Sequence, residues 1–475
     1  MTAFASDSHS DWRRSAAFFA VLVGFVLEVA DSTIVNTALP RIKADLGGGE
    51  SALQWIAAAY FLTLGSFLLI GGRLGDIFGY RRLFLLGIAG FGIASSLCGM
   101  ARNVDELIVA RLLQGAAGAL MAPQVMAIVQ VLYSPLERVG KLAWFGVLGG
   151  IAAILGPILG GLLIEADIME LGWRMIFLIN LPVALLAFIA TARFGPVLPV
   201  HPDHRIDYAG GALFVAAFGL VLLALIEGPA LDWPGWCVTS VLAGLALLWI
   251  GWRQALGRTA RGDTAIVAPD LFQLPTFAWG MAAVTTFSSA TAGFLLVFAI
   301  SLQQGLGLSA LDTALRHIPF GLGVMAGISL IGRNFLPRFG KWLIVAGAAQ
   351  IAIAGSLALY RISHGQAQDT WFVVLLCLAG MGMGMVMGPL PPVIVAEVDR
   401  GKAGTASAMM RTAQQIGGAV GIALIGAAYF STPGAGPAAS LAGLAPATAA
   451  FLLVVSATLL FTLRLPDNIF GPKHG

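Results

Sequence analysis

The sequence predicts an all-α integral membrane protein with fourteen transmembrane helices, built as two six-helix bundles with two further helices inserted between them. The composition, a long series of apolar segments and a weak internal repeat support this prediction. Of the 475 residues, 58% are hydrophobic and 11% are charged, and the mean hydropathy is +0.88. Soluble domains are roughly 45–50% apolar and about 25% charged, so this chain suits a bilayer.

The composition also argues against other classes of protein. The net charge of +3 is small and the basic residues are scattered, which disfavours nucleic-acid binding. Cys98, Cys237 and Cys377 stand alone in apolar segments, so we expect neither disulfides nor a thiolate metal site. With no Walker motif and no nucleophile–base pair, we expect no cofactor and no enzymatic activity. The apolar run after Arg13 and Arg14 has span length and lacks a cleavage site, which indicates a retained helix.

Apolar windows of about 20 residues are long enough to cross about 30 Å of hydrocarbon. They predict spans at 15–39, 52–71, 83–101, 106–129, 138–164, 174–193, 208–227, 236–253, 275–301, 312–332, 342–360, 370–396, 403–430 and 442–463. We divide the chain into an N-terminal tail (1–14), an N-terminal bundle (15–194), inserted helices 7 and 8 with their loops (195–270), a C-terminal bundle (271–465) and a C-terminal tail (466–475).

An internal repeat supports this division. Segment 118–123 of the fourth span resembles segment 384–389 of the twelfth, and the loop at 72–82 has a counterpart at 332–341. Both matches pair helices 1–6 with helices 9–14, as duplicated transporter bundles do.

The basic residues predict the orientation. With both termini in the cytoplasm, 19 of the 27 lysines and arginines lie on the cytoplasmic side and six on the other, while Arg111 and Arg411 lie within spans. Cytoplasmic loops carry the excess of positive charge, so this topology is favoured.

Two acidic residues lie inside the first span. Glu28 and Asp31 are three residues apart, which places their carboxylates on one helical face, about 20 and 24 Å from the helix start near Ser15. An acid at this depth must pair or take up a proton. We therefore expect proton exchange, led by Asp31 and helped by Glu28, and the alternative is a structural ion pair between helices 1 and 4.

Arg111 in the fourth span cannot lose its charge and needs a polar partner. We expect it to bias the protonation of Asp31 or Glu28; the alternative is helix packing alone. Further polar side chains in the spans are assigned to a substrate cavity: Asn36, Gln114, Gln124, Arg411, Gln414 and Gln415. A positive charge at Arg411 would repel cations and leaves room for anionic cargo. His201, Asp203 and His204 lack further ligands, so we expect no metal site.

Three patterns make the chain resemble the major facilitator superfamily, and specifically its fourteen-span drug:proton antiporter branch. They are D-x-T-x-x-N-x-A-L-P at Asp31, Thr33, Asn36, Ala38, Leu39 and Pro40; G-x-L-x-D-x-x-G-x-R-R at Gly72, Leu74, Asp76, Gly79, Arg81 and Arg82; and G-x-x-x-G-P-x-x-G-G at Gly156, Pro157, Gly160 and Gly161, with Ala152 at the first glycine.

The resemblance implies a role for each pattern. The loop with Arg73, Asp76, Arg81 and Arg82 would latch one access state, and a topology anchor is the simpler alternative. The glycines and proline at 156–161 would form a tight packing seam that favours exchange, the alternative being ordinary helix packing. Helices 1 and 4 would line a central cavity.

These observations predict a proton-coupled efflux antiporter of the cell membrane that exports apolar or amphiphilic compounds by alternating access. The alternative is a transporter of the same fold dedicated to one anionic or lipid-like metabolite. Its partners would be protons, a small-molecule substrate and the bilayer; we expect a monomer, and an accessory envelope protein stays open.

Overall fold

In a computed structural model of the chain, residues 8–197, 207–263, 265–399, 402–434 and 436–467 are described. Within these ranges fourteen helices are long and apolar enough to cross a membrane, as the sequence predicts. They are α1 (Ser8–Leu46), α2 (Glu50–Phe78), α3 (Tyr80–Met100), α4 (Val104–Leu132), α5 (Pro135–Ala166), α6 (Gly172–Phe194), α7 (Tyr208–Glu227), α8 (Gly235–Ala260), α9 (Pro275–Gly305), α10 (Ala310–Ile331), α11 (Lys341–Ser363), α12 (Thr370–Val395), α13 (Ala403–Phe430) and α14 (Pro437–Leu463).

Local sequence explains where several helices begin and end. α1 runs for 39 residues, well past the predicted end at residue 39, and stops where Gly47 and Gly48 take positive φ angles of 73° and 99°. Gly79 alone separates α2 from α3, with φ of 95°, a conformation that glycine adopts without strain. The side chain of Asn103 accepts a hydrogen bond from the Glu106 amide at 2.8 Å and caps α4.

Five spans are interrupted or change their helix type. α6 is assembled from the turn Gly172–Arg174 and the helices Met175–Leu178 and Asn180–Phe194. π-helical turns end α9 at Ser301–Gly305 and α10 at Gly327–Gly332, and a short helix, Arg333–Phe339, follows α10. α12 breaks before Pro389 into Thr370–Met387 and Leu390–Val395, and α14 comprises Pro437–Ala442 and Leu444–Leu463.

Helix packing divides the molecule into three parts. α1–α6 pack as one bundle (the N bundle) and α9–α14 as another (the C bundle). The bundles meet where α2 packs on α13 and α5 packs on α10. The inserted pair, α7 and α8, forms a hairpin, and α7 lies against both α2 and α13, so it covers one seam between the bundles.

The buried side chains form three clusters. We call the side at which α1 begins the near face and the opposite side the far face. One cluster, the shared core, occupies the far half and joins both bundles, with Val35, Leu39, Phe177, Phe294, Phe298 and Phe372 among its members. In the near half the bundles have separate clusters: the N-bundle core around Phe18, Phe84 and Met121, and the C-bundle core around Phe277, Val386 and Val393. The bundles are therefore joined most closely toward the far face.

Candidate functional site

Asp31 lies at the centre of a polar network inside the N bundle. Its Oδ2 accepts a hydrogen bond from Nη1 of Arg111 at 2.5 Å, and neither side chain is more than 1% exposed. Its Oδ1 accepts from the amides of Gln114 at 2.8 Å and Asn180 at 3.2 Å. Asn180 also donates to Ser95 Oγ at 3.0 Å. The carboxylate of Asp31 thus has three donors, supplied by α4 and α6.

Arg111 has further polar and aromatic contacts besides its ion pair with Asp31. Its Nε donates to the Ile56 carbonyl at 3.2 Å and its Nη1 donates also to Gln114 Oε1 at 2.7 Å. The guanidinium lies 4.4 Å from the centre of the Tyr60 ring, close enough for a cation–π interaction. The ion pair joins α1 to α4 in a site closed to water, which is the geometry of the structural alternative considered for Asp31.

Glu28 faces the other bundle. Its Oε1 accepts a hydrogen bond from Nη2 of Arg411 in α13 at 2.8 Å, and the two side chains are 4% and 23% exposed. Its second oxygen, Oε2, is buried without a hydrogen-bond partner. The acids of α1 therefore diverge, although the spacing predicted one common face: Asp31 points into its own bundle and Glu28 crosses to the next.

This pairing changes the expected role of Arg411. The sequence suggested an uncompensated positive charge that would repel cations. Because Glu28 carries the opposite charge at 2.8 Å, the pair is electrically neutral at this point between the bundles. The premise of an unpaired positive charge at Arg411 therefore does not hold in this conformation, and the alternative of anionic cargo stays a prediction.

The residues assigned to a substrate cavity separate into three groups, of which Asn36 forms one by itself. Gln114 and Gln124 are fully buried in the N bundle, where Gln124 donates to the Gly71 carbonyl at 2.8 Å and to the Leu120 carbonyl at 3.0 Å. Neither faces an open cavity here, because each amide bonds within its own bundle. Gln414 and Gln415 are half-buried beside Arg411 on α13.

Asn36 lies in the far half, at a small void between the bundles. Together with Pro157, Phe298 and His317 it lines a cavity of about 20 Å³, which is room for about one water molecule. Nearby, Gln303 donates to the Thr37 carbonyl at 3.0 Å across the bundle interface. The bundles are closed against each other at this level.

The small residues of α5 pack first against α1. A Cβ added at Gly156 would lie 2.3 Å from Thr33 Oγ1, and one at Gly160 would lie 2.7 Å from Ile34 Cγ1. Glycine therefore allows α5 to approach the turn of α1 that follows Asp31.

Gly161 packs against the C bundle instead. A Cβ there would lie 2.7 Å from Cα of Leu311 and 3.0 Å from the carbonyl oxygen of Ala310, both backbone atoms of α10. Such contacts are tighter than normal van der Waals separation. The glycines at 156–161 thus allow close packing of α5 against α1 and against α10, and the contact with α10 lies between the bundles.

The segment 72–82, predicted as a loop, is helical except at Gly79, because α2 runs to Phe78 and α3 begins at Tyr80; its described contacts lie within its own bundle. Asp76 accepts a hydrogen bond from the Tyr80 hydroxyl at 2.8 Å and lies 3.6 Å from Arg73. Arg81 donates to the carbonyl of Ala192, which ties α3 to the end of α6. The remaining members differ in environment: Gly72 faces Pro123 of α4, Gly79 forms the turn, and Arg82 is exposed.

Three components of the site were missed by the sequence analysis. Asn180 donates to Asp31, and Ser95 and Tyr60 contact the partners of Asp31. Scattered hydroxyl and amide groups in apolar helices are common in helix packing, so they did not indicate a site. Among the described residues no group of three or more potential ligands surrounds a metal position. His201, Asp203 and His204 lie outside the described residues.

Known proteins resemble the chain over most of its length. The model of the Major Facilitator Superfamily matches residues 21–422. A probable actinorhodin transporter of Streptomyces coelicolor is 35% identical over 90% of this chain and 75% of its own length. The puromycin resistance protein pur8 of Streptomyces alboniger is 32% identical over 95% of this chain and 92% of its own length.

A solved structure shows the same fold. A bacterial homolog of the human lysosomal transporter Spinster, in an inward-facing and unoccupied conformation, superposes with a TM-score of 0.66 at 17% identity and covers 97% of this chain and 98% of its own. The family model, the relatives and this fold confirm the resemblance that the motifs indicated. The chain belongs to the Major Facilitator Superfamily, among relatives that are antibiotic and multidrug exporters.

Proposed function

We propose that the protein exports apolar or amphiphilic small molecules in exchange for protons, by alternating access. The observation that carries this proposal is the ion pair between Glu28 of the N bundle and Arg411 of the C bundle, one helical turn from the Asp31–Arg111 pair. A proton that binds Glu28 removes its negative charge and so breaks the ion pair between the two bundles. Proton binding and bundle movement are thereby linked.

The present conformation is open toward the side of the membrane on which an exporter binds its substrate. The bundles share one core in the far half and have separate cores in the near half. The basic residues favour a cytoplasmic near face with both termini there. On this basis the conformation faces the cytoplasm of the cell membrane.

The geometry favours Glu28 as the group that exchanges the proton. Its Oε2 has no hydrogen-bond partner, so a proton can bind there without displacing a donor. Protonating Asp31 would instead disturb bonds from Arg111, Gln114 and Asn180. Asp31 and Arg111, which we expected to lead the coupling, then hold the helix that carries Glu28 in position.

Coupling follows from what the pair prevents. With the cavity facing the cytoplasm and Glu28 ionised, the bond to Arg411 opposes movement of the empty carrier. In that state a substrate that inserts between the two side chains releases them. When the cavity faces the far side, a proton that binds Glu28 does the same. The carrier therefore moves when loaded with either partner, which is the requirement for exchange. One charge moved through 100 mV provides about 2.3 kcal/mol, which corresponds to a substrate ratio of about 50.

The substrate class rests on the neutral pair and on the relatives. The pair can accept an amphiphile of either charge, because a cationic substrate can take the place of Arg411 beside Glu28 and an anionic one can take the place of Glu28 beside Arg411. Relatives named for actinorhodin, puromycin and tetracenomycin C support export of natural antibiotics. We further propose that the protein has no catalytic activity and functions as a monomer; an accessory envelope protein is not required by this scheme.

Inverted membrane vesicles provide the test. Proton-driven uptake of ethidium, with puromycin as competitor, is compared between the parent, Glu28→Gln and Asp31→Asn, with Glu165→Gln as a control at an exposed acid of α5. We expect Glu28→Gln to lose proton-driven uptake with only a small loss of thermal stability, because Arg411 is partly exposed to solvent. Asp31→Asn should lose uptake and thermal stability together. Uptake equal to the parent in both variants would remove the α1 acids from coupling. Absence of uptake by the parent would favour a transporter dedicated to another metabolite.

A further inference from the structure

A second cavity, of about 420 Å³, lies away from the paired acids, where the inserted pair meets the C bundle. It is lined by α7, the segment that follows α8, and helices α9, α13 and α14, together with Leu69 of α2. We propose that this cavity binds a neutral amphiphilic small molecule carrying a carbonyl or hydroxyl oxygen. The proposal concerns binding alone and does not depend on proton coupling.

The walls of the cavity are aromatic and aliphatic. Phe214 and Phe218 of α7 lie with ring centres 5.5 Å apart. Phe272, in the turn Pro269–Gln273, contacts the edge of Trp252 at 5.3 Å. Phe461 of α14 stacks on Trp279 at 6.1 Å. These packed rings give fixed apolar surfaces suited to a rigid ligand.

One wall carries hydroxyl groups, and one of them lacks a partner. Thr412 of α13 is 6% exposed, and its Oγ1 is buried without a hydrogen bond. Thr285 of α9 also lines the cavity, and its hydroxyl donates to the Met281 carbonyl at 2.8 Å. Buried hydroxyls are normally bonded. A ligand oxygen near Thr412 would satisfy this group, whereas an acyl chain would leave it unpaired.

Depth and charge define the ligand further. Thr412 lies nine residues into α13 and Phe214 six residues into α7, about 14 and 9 Å from the near ends of these helices. Both positions are in the near half of their helices. Residues with ionised side chains are absent from the described lining, so it offers no partner for a phospholipid headgroup. The ligand is therefore uncharged, and its size is that of a drug-like molecule.

The position of the cavity means that a bound ligand would affect the arrangement of the bundles. Thr412 follows Arg411 in α13, so adjacent residues of one helix face the cavity and Glu28 respectively. Because the lining combines Leu69 of the N bundle with the inserted pair and the C bundle, a bound molecule contacts all three parts. A ligand here stabilises the arrangement of α2, α7 and α13 seen in this conformation.

Tritiated progesterone, a neutral and rigid molecule with carbonyl oxygens, is a suitable probe. Its saturable binding to the full chain in lipid nanodiscs is measured by scintillation proximity, with empty nanodiscs subtracted and no proton gradient applied. The variants are Thr412→Val, which keeps the side-chain shape, and Ala282→Phe, which fills the cavity. Thr448→Val and Ala449→Phe on α14 are matched controls, since Thr448 bonds to its own helix and Ala449 is exposed.

We expect one saturable site in the parent and in both controls. Thr412→Val should weaken binding about threefold to tenfold through the lost hydrogen bond, and Ala282→Phe should abolish the saturable component. Binding that is absent in the parent, or equal in the parent, Thr412→Val and Ala282→Phe, overturns the proposal. Binding lost in Glu28→Gln but kept in Ala282→Phe assigns the probe to the space between the bundles and overturns it as well. Glu28→Gln that binds progesterone normally but fails to transport separates this site from the coupling mechanism.

Discussion

Replacing Gly161 by alanine tests whether the seam between α5 and α10 holds the two bundles in the observed arrangement. The added Cβ would meet the Leu311 Cα at 2.7 Å and the Ala310 oxygen at 3.0 Å. Carbon atoms normally lie about 3.5–4.0 Å apart, so the overlap is about 1 Å and involves backbone atoms that cannot rotate away. Overpacking of this kind costs about 1–3 kcal/mol.

That cost applies to the arrangement in which α5 and α10 touch. The intrinsic gain in helix propensity from glycine to alanine is present in both access states and cancels. A penalty of about 1–3 kcal/mol shifts the equilibrium toward the state with a separated far face by about 5-fold to 150-fold. Gly150→Ala is the matched control, because its Cβ would meet Met325 of the same partner helix at an ordinary 3.9 Å.

Spin labels report the change directly. Cysteines at Glu165 and Asp312, both exposed near the far ends of α5 and α10, carry the labels after the native cysteines are replaced by alanine. Double electron–electron resonance should give one short distance for the parent and for Gly150→Ala, and an added long distance for Gly161→Ala. The same short distance in all three proteins would refute the argument that Gly161 sets the closure.

Two further predictions concern stability. Arg111→Gln should lower the melting temperature in detergent, because it leaves Asp31 without a counter-charge in a buried site, a loss of about 3–5 kcal/mol of stability. Combining Asp31→Asn with Arg111→Gln should recover part of the lost stability. An unchanged melting temperature for Arg111→Gln contradicts the role of the pair. Hydrogen bonds from Ser134, and then the Arg14 guanidinium, hold the pKa of Glu137 below its ordinary value of 4.5, at a position before the apolar span Leu148–Ala166. Ionised Glu137 therefore stabilises the fold above about pH 4.5, and this stabilisation is lost as the pH falls through the lowered pKa. The difference in stability between the parent and Glu137→Gln should be present at pH 7 and narrow below pH 4.5. A difference that does not depend on pH contradicts a stabilising role for the Glu137 carboxylate.

The sequence predicted the spans well because apolar length alone determines them. It placed the end of α1 too early, because polar residues after Pro40 continue the helix beyond the hydrocarbon until Gly47. The pairing of Asp31 with Arg111 was among the expected alternatives, since a charge fixed within a span requires a partner.

The pairing of Glu28 with Arg411 was not foreseen, because 383 positions separate the two residues and several cations were equally eligible. Gln124 was assigned to a substrate cavity since an amide in a span suggests a ligand. Its amide instead bonds to the carbonyls of Gly71 and Leu120, a local solution that needs coordinates to identify. The cavity at Thr412 depends on six segments of the chain meeting, and no single one of them indicates it.

Proton release on substrate binding tests the central claim most directly. Purified protein in weakly buffered detergent solution is titrated with puromycin, and the released protons are counted with a pH-sensitive dye. With Glu28 set by pH to its protonated form at the start, the parent should release close to one proton per bound substrate, while Glu28→Gln should bind the substrate and release none. Equal proton release by the parent and Glu28→Gln, at equal substrate binding, would contradict the exchange of protons at Glu28.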